Sequence, residues 1–215
     1  MMKEIIRDNF SILFGSDGYF KLANFIQENN FKKILILTDE NTKVHCLDLF
    51  FSNIKKTDKK IAEMVLSTSY YFSVEPGENA KNLKTSNHIW EFLTENGFKR
   101  NDLIINLGGG MVSDLGGFVA STYMRGIQFV NIPTTLLGMV DASIGGKTGI
   151  DLNGIKNIIG TFQFAKLVLI DVEFLNSLSK KQMAAGYAEM IKHSLIDKNH
   201  DCLLYTSPSP RDAYV

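Results

Sequence analysis

The stretch Leu103–Phe118, LIINLGGGMVSDLGGF, decides the fold. Its apolar run, Leu103–Leu107, leads directly into Gly108, Gly109 and Gly110, and a helical pattern begins near Val112. A short apolar run bounded by turn residues reads as a strand buried on both faces. Glycines after such a strand let the backbone approach a pyrophosphate, and the following helix N-terminus turns N–H groups and positive dipole toward it. The fingerprint G-x-G-x-x-G is imperfect, because Ser113 stands at the third glycine position. The usual ribose-binding acid about 20 residues further on is missing too, since that region reads NIPTT. Asp39, at the carboxyl end of another apolar run, is a substitute acid on the same edge of a sheet. By itself the glycine loop serves equally well as a tight structural turn.

Outward from this stretch, apolar runs alternate with helical patterns, the signature of an α/β fold with a parallel sheet and crossover helices. Strands are predicted at Ile34–Leu37, Tyr70–Val74, Leu103–Leu107, Ile127–Ile132 and Leu167–Ile170. A helix before the first strand carries Tyr19, Leu22, Ala23 and Ile26 on one face and ends at Asn29 and Asn30. Another carries Leu83, Ile89, Trp90 and Leu93 and stops at Gly97. From Ser179 the pattern changes: SKKQ offers a capping box, and Met183, Tyr187, Ile191 and Leu195 follow at steps of four. The expected organisation is a domain over residues 1–178 and the first helix of a second, helical domain over 179–201. Residues 202–215, with Pro208 and Pro210 and no periodicity, read as a non-native tail.

Composition narrows the partners. Lysine plus arginine and aspartate plus glutamate both count 23, so the net charge is zero. That balance argues against a general nucleic-acid or membrane-surface partner. Cys46 and Cys202 are too few for a disulfide framework and lack metal-like spacing. The N-terminus carries charges of both signs without an apolar signal core, and no apolar run reaches membrane-spanning length. The expectation is a soluble, cytoplasmic protein.

Several segments place chemistry at the ends of the predicted strands. PGENAK (Pro76–Lys81) sets Glu78 and Lys81 one helical turn apart, as a site or as an exposed ion pair. Thr134 and Thr135 follow Pro133 at the end of a strand, and Arg125 lies in YMRG before it. MVDASIGGKTG (Met139–Gly149) imitates the end of a phosphate-binding P-loop, but Asp141 stands where G-x-x-x-x-G-K-[ST] needs its first glycine. No clear strand runs into it. Lys147 therefore needs another explanation. Near the end, Glu189, Lys192 and His193 share one helical face. Glu189 and His193 have the spacing of a helical metal pair but need a third ligand; a solvated polar face explains them equally.

TDEN, PGENAK, GGGMVSD, YMRGIQFVNIPTTLLGMVDASIGGKTGID, GIKNIIGTF, LIDVEFL and AAGYAEMIKH follow one another in order. The series resembles the 3-dehydroquinate synthase family from about Asp39 to Ile196. That resemblance implies a Rossmann-like domain binding NAD, then a helical domain supplying most of a Zn2+ (or Co2+) site. It implies that Asp39, Asn41, Glu78 and Lys81 meet the ribose and adenine of NAD. Gly109, Gly110, Met111, Ser113 and Asp114 would cover the pyrophosphate. Thr134, Thr135, Lys147, Lys156, Phe174 and Ser177 would complete the cofactor pocket. Asp141, Lys147, Asn157 and Lys192 would face a sugar-phosphate substrate. Glu189 would be a metal ligand, and Arg125 would reach the substrate phosphate across a homodimer interface. The implied reaction turns 3-deoxy-D-arabino-heptulosonate 7-phosphate into 3-dehydroquinate and phosphate, with NAD reduced and reoxidised in one turnover. A related sugar-phosphate cyclase, or an NAD-dependent polyol or glycerol-phosphate dehydrogenase of the same fold, is the alternative. The chain departs from the family at Ser113, Ser177 and Ser179, and lacks the family's GHT-x-GHA-like segment of metal-binding histidines. Glu189 alone would hold a metal weakly, so the polypeptide by itself is expected to be inactive.

Overall fold

The computed structural model describes residues 4–7 and 10–196. Its centre is a seven-stranded sheet in the order β1-β2-β9-β6-β5-β3-β4. These strands are β1 (Glu4–Arg7), β2 (Phe10–Phe14), β3 (Ile34–Asp39), β4 (Ser69–Val74), β5 (Leu103–Gly108), β6 (Gln128–Pro133) and β9 (Leu167–Ile170). All pairings are parallel except β1 with β2. The five strands predicted from apolar runs are β3, β4, β5, β6 and β9, within two residues at each end.

Period-two alternation in the central strands feeds two cores. Ile34 and Ile36 of β3, with Leu103 and Ile105 of β5, face one core, and Leu35, Leu37 and Ile104 face the other. The first core is closed by α1 (Gly15–Asn29), α3 (Leu47–Thr57) and α4 (Lys59–Thr68) through Leu22, Ile26, Phe50, Ile54 and Val65. The second is closed by α5 (Leu83–Glu95) and α6 (Gly110–Thr122) through Ile89, Leu93, Leu115 and Val119. Burial on both faces is why these strands read as continuous apolar runs. α1 buries the predicted face and ends at Asn30, whose left-handed backbone (φ 50°) returns its N–H to the Gln27 carbonyl.

Three regions differ from the sequence reading. The edge pair β1–β2 stands where the sequence analysis named no strand. Residues 40–68 form α2 (Glu40–His45), α3 and α4. A separate antiparallel hairpin, β7 (Lys147–Leu152) and β8 (Ile155–Phe162), stands where no strand was expected. It turns through Asn153 and Gly154, both at positive φ, as a two-residue hairpin requires.

The last described element is α7 (Lys180–Ile196), opened as predicted by Ser179, whose hydroxyl accepts from the Gln182 N–H at 3.3 Å. Its apolar stripe is not buried: Tyr187, Ile191 and Leu195 are exposed, and α7 buries only Gly186 and Ser194. Among the described residues no helix is long and apolar enough to cross a membrane. The tail expected over 202–215 lies outside the described residues.

Candidate functional site

Parallel strands bring their carboxyl ends to one edge, and the loops leaving β3, β4, β5, β6 and β9 enclose a cavity of ≈730 Å³ there. Asp39, Asn41, Glu78, Gly109, Gly110, Met111, Asp114, Thr134, Thr135, Asp141 and Ser177 all line it. Residues far apart in sequence thus converge at one edge of the sheet. The loops meet closely at the glycines. A Cβ on Gly109 would sit 3.0 Å from Thr135 Cγ2, and one on Gly110 would sit 3.0 Å from Ala142 Cβ. The N-terminus of α6 opens here, and no side-chain hydrogen bond caps it. First-turn N–H groups lack intrahelical partners, so this end offers donors and a positive dipole to an anion.

Asp39 holds the start of α2, its Oδ1 accepting from the Thr42 N–H at 2.8 Å. Lys81 is buried, with Nζ 2.8 Å from Asp114 Oδ2 and 3.3 Å from Glu78 Oε1. Burial pulls the Lys81 ammonium down, but Asp114 and Glu78 outweigh it and the net shift is upward. Asp114 is also pushed up, by burial first, with Lys81 only partly opposing. Lys81 therefore contacts the cavity wall through Asp114. Its carbonyl accepts from the Asp151 N–H at 2.8 Å, and Asp151 Oδ1 accepts from the Asn157 N–H at 2.8 Å. One residue thereby ties the cavity to the β7–β8 hairpin.

A second cavity, ≈440 Å³, is lined by Asp114, Asp141, Lys147 and Asn157 and shares its two acids with the first. Asp141 sits on a single π-helical turn, Gly138–Ala142. Buried Asn131 anchors that turn to the sheet: its Nδ2 donates to the Ser143 carbonyl at 3.0 Å, and its Oδ1 accepts from Asn106 Nδ2 at 2.9 Å.

From α7, His193 Nε2 comes within 3.5 Å of Asp141 Oδ1 and 3.4 Å of Glu189 Oε1. Lys192 pairs with Glu189 on the same helix. Lys192 holds the Glu189 carboxyl below its usual range, and Glu189 raises the Lys192 ammonium in turn. A second carboxylate, Asp141, thus comes to that pair from a different element.

Other residues named from sequence stand apart. Arg125 lies in a separate recess of ≈370 Å³ with Arg100 and Lys166. Both Arg125 and its neighbour Met124 hold positive φ, at 64° and 49°. Ser113 and Phe174 are buried and line none of these cavities, so the Ser113 hydroxyl does not crowd a ligand at the glycine turn. Lys156 is exposed, with Nζ 3.9 Å from Glu78 Oε1. His45 and Cys46 join the first cavity's wall, a place their isolation in sequence did not signal.

Residues 71–185 match the family described as 3-dehydroquinate synthase N-terminal. The chain is 40% identical over 204 residues to a bifunctional 3-dehydroquinate synthase/phosphatase of Fusobacterium nucleatum, covering 95% of this chain and 29% of that one. It is 42% identical over 190 residues to a 3-dehydroquinate synthase of Pelagibacter ubique, covering 87% and 49%. It therefore spans half or less of the length of these relatives. Among solved structures it resembles a 2-epi-5-epi-valiolone synthase of Streptomyces hygroscopicus subsp. jinggangensis with NAD+ and Zn2+ bound. There the TM-score is 0.68 at 26% identity, covering 89% of this chain and 51% of that one.

Proposed function

The chain belongs to the 3-dehydroquinate synthase family, and from that premise we propose that it forms the NAD-binding half of such an enzyme. The reaction proposed is conversion of 3-deoxy-D-arabino-heptulosonate 7-phosphate to 3-dehydroquinate and phosphate. The observation that carries this reading is the continuity of the two cavities through Asp114 and Asp141. A dinucleotide laid over the glycine turn would end against the pocket that holds Lys147 and Asn157. Residues 1–178 are the Rossmann-like domain, and α7 opens the helical one.

The residues fit the groups the family implies. The uncapped helix and the tight Gly109–Gly110 approach suit a pyrophosphate, and the carboxylate and imidazole donors around Glu189 suit zinc or cobalt. When bound, NAD supplies reversible hydride acceptance and the metal supplies polarisation of substrate oxygens. Asp39 accepts from ribose hydroxyls, and Asp114, held by Lys81, fixes the cofactor near the substrate pocket. Asp141 accepts a substrate hydroxyl. Lys147 and Lys192 place positive charge where phosphate negative charge develops and departs, and Asn157 orients the substrate. Arg125, in its own recess, joins the phosphate from a second subunit of a homodimer. The enzyme is cytoplasmic.

Calorimetry of this chain with NAD tests the cofactor half. The full-length gene product, assayed with the heptulosonate phosphate, NAD and Zn2+, tests the reaction. Phosphate released without net NADH supports the synthase. NADH accumulating in step with product would instead indicate a dehydrogenase of the same fold.

A further inference from the structure

We propose that Asp151 is a positioning residue: it pins a β-bulge that turns Lys156 toward the larger cavity and Asn157 into the smaller one. The inference rests on the proposed function for what those cavities hold, and adds a residue that lines neither. In the β7–β8 ladder Leu152 pairs with Ile155 and Ile150 with Ile159. Lys156, Asn157 and Ile158 therefore face Asp151 alone, and β8 bulges at the two residues whose chemistry the sequence singled out. Bulges re-aim side chains and recur beside functional sites. Lys156 Nζ stands 3.9 Å from Glu78 Oε1, in the wall of the larger cavity, while Asn157 lines the smaller. Two adjacent residues thus serve different cavities.

The bulge needs a hold. Asn157 has φ 53°, in the left-handed region, and residues there persist where their surroundings over-determine them. Its N–H donates to Asp151 Oδ1 at 2.8 Å, across the bulge. Asp151 is in turn fixed from outside the hairpin. Its own N–H donates to the Lys81 carbonyl at 2.8 Å, and it bridges Asn82, the residue that caps α5. Lys81 is buried, and its ammonium is held by Asp114, which lines both cavities. The pin therefore runs from the sheet side to Asn157 and does not depend on the exposed face of β8. Beyond the bulge the ladder is tight, since a Cβ on Gly149 would lie 2.9 Å from the Ile159 carbonyl oxygen. The distortion is confined to residues 156–158, where one carboxylate can control it.

The test combines calorimetry of this chain with NAD and hydrogen exchange of single backbone amides by NMR. Asp151→Ala should speed exchange of the Asn157 amide and weaken NAD binding, each by about two- to tenfold, the range one net hydrogen bond supplies. Amides of the paired segments, residues 147–150 and 159–162, should keep the parent's rates, which a general loosening of the hairpin would not allow. Asp151→Asn keeps an acceptor oxygen in place and should restore both readouts. Lys156→Met should weaken NAD binding by itself, and adding Asp151→Ala to it should change little more, because the pin acts on the cofactor through that lysine. Asp151→Ser, too short to reach the Asn157 amide, replaces the alanine variant if that chain does not fold by circular dichroism. A folded Asp151→Ala chain whose Asn157 amide exchanges as in the parent, or which binds NAD as tightly, overturns the pin. So does an Asp151→Asn chain no better than the alanine one. A parent chain that binds no NAD removes the cofactor reading, and the Asn157 exchange rates then decide the pin by themselves.

Discussion

Gly186→Ala should weaken the docking of α7, although the same change strengthens an isolated helix. Gly186 lies inside α7, where alanine is favoured by about 0.8–1.0 kcal/mol. Its added Cβ, however, would lie 2.5 Å from Leu136 Cβ, 2.6 Å from Leu136 Cγ and 2.8 Å from the Leu137 backbone nitrogen. Carbon atoms pack at about 3.5–4.0 Å, so the helix must retreat by roughly 1 Å. Overpacking of this kind costs about 1–3 kcal/mol, leaving a net of about 0–2 kcal/mol against docking. The retreat moves Glu189 and His193 together, so their 3.4 Å separation survives. The 3.5 Å separation of His193 from Asp141 spans two elements and opens, toward roughly 4.5 Å if the helix moves by that ~1 Å. Hydrogen exchange of the α7 amides should therefore speed up relative to β5. The global melt should change little, because α7 buries so little of itself. Slower or unchanged α7 exchange would show that the helix is not seated on Leu136 and Leu137.

Three further outcomes follow from the same geometry. Lys81→Met strips the half-buried Asp114 of its ammonium and should cost about 2–3 kcal/mol in urea unfolding at pH 7, below a fully buried pair because Asp114 is partly exposed. The Lys81 ammonium is held above its ordinary 10.5, so its contribution is complete below that pH and is lost as pH rises through the higher folded value. On the alkaline side the gap between parent and variant should shrink only above pH 10.5, and a gap that closes at neutral pH contradicts the pair. Asp39→Ser keeps an N-cap for α2 and should leave stability within ~0.5 kcal/mol. If Asp39 holds the ribose, NAD affinity should still fall by about tenfold or more, the ~1.5–3 kcal/mol of a charge-assisted bond; unchanged calorimetry denies that role. Burial pushes the Cys46 thiol above its ordinary value. Iodoacetamide should therefore label the Cys46 peptide slowly at pH 7 and faster at higher pH, with NAD slowing it further. Labelling at the rate of a free thiol would place Cys46 outside the cavity wall.

What was legible in the sequence was whatever burial on both faces imposes. β3, β5 and β9 are apolar almost without interruption because cores lie above and below them. The hairpin β7–β8 hid for the opposite reason. β8 exposes most of its side chains, so Ile155, Ile158 and Phe162 show no burial-driven alternation. Its one available signal was Asn153–Gly154, a dipeptide suited to two consecutive positive φ values. Residues 40–68 were obscured by caps rather than by composition: Asp39 and Asp58 each start a new helix, chopping the apolar period into short pieces. The convergence of Asp141 with Glu189 and His193 was not legible at all, because it depends on where α7 settles, and α7's exposed apolar stripe gives no clue to that.

The segment that imitates a P-loop shows how spacing and structure can agree for different reasons. A P-loop works by pointing unpaired backbone N–H groups at phosphate oxygens. Here four amides ahead of the Gly145–Gly146 pair are already committed: Met139 donates to the Thr135 carbonyl, Ser143 to Gly138 and Ile144 to Asp141, while the Gly138 N–H goes to Thr135 Oγ1. Lys147 is the first residue of β7 rather than the start of a helix, so no helix dipole stands behind it. First-turn helix donors with a dipole behind them lie instead at Gly110–Met111, at the start of α6. The two halves of phosphate recognition are therefore separated in this fold. Backbone amides face the larger cavity, and a lysine side chain faces the smaller one. A dinucleotide in one cavity and a phosphorylated substrate in the other, as proposed above, would use both.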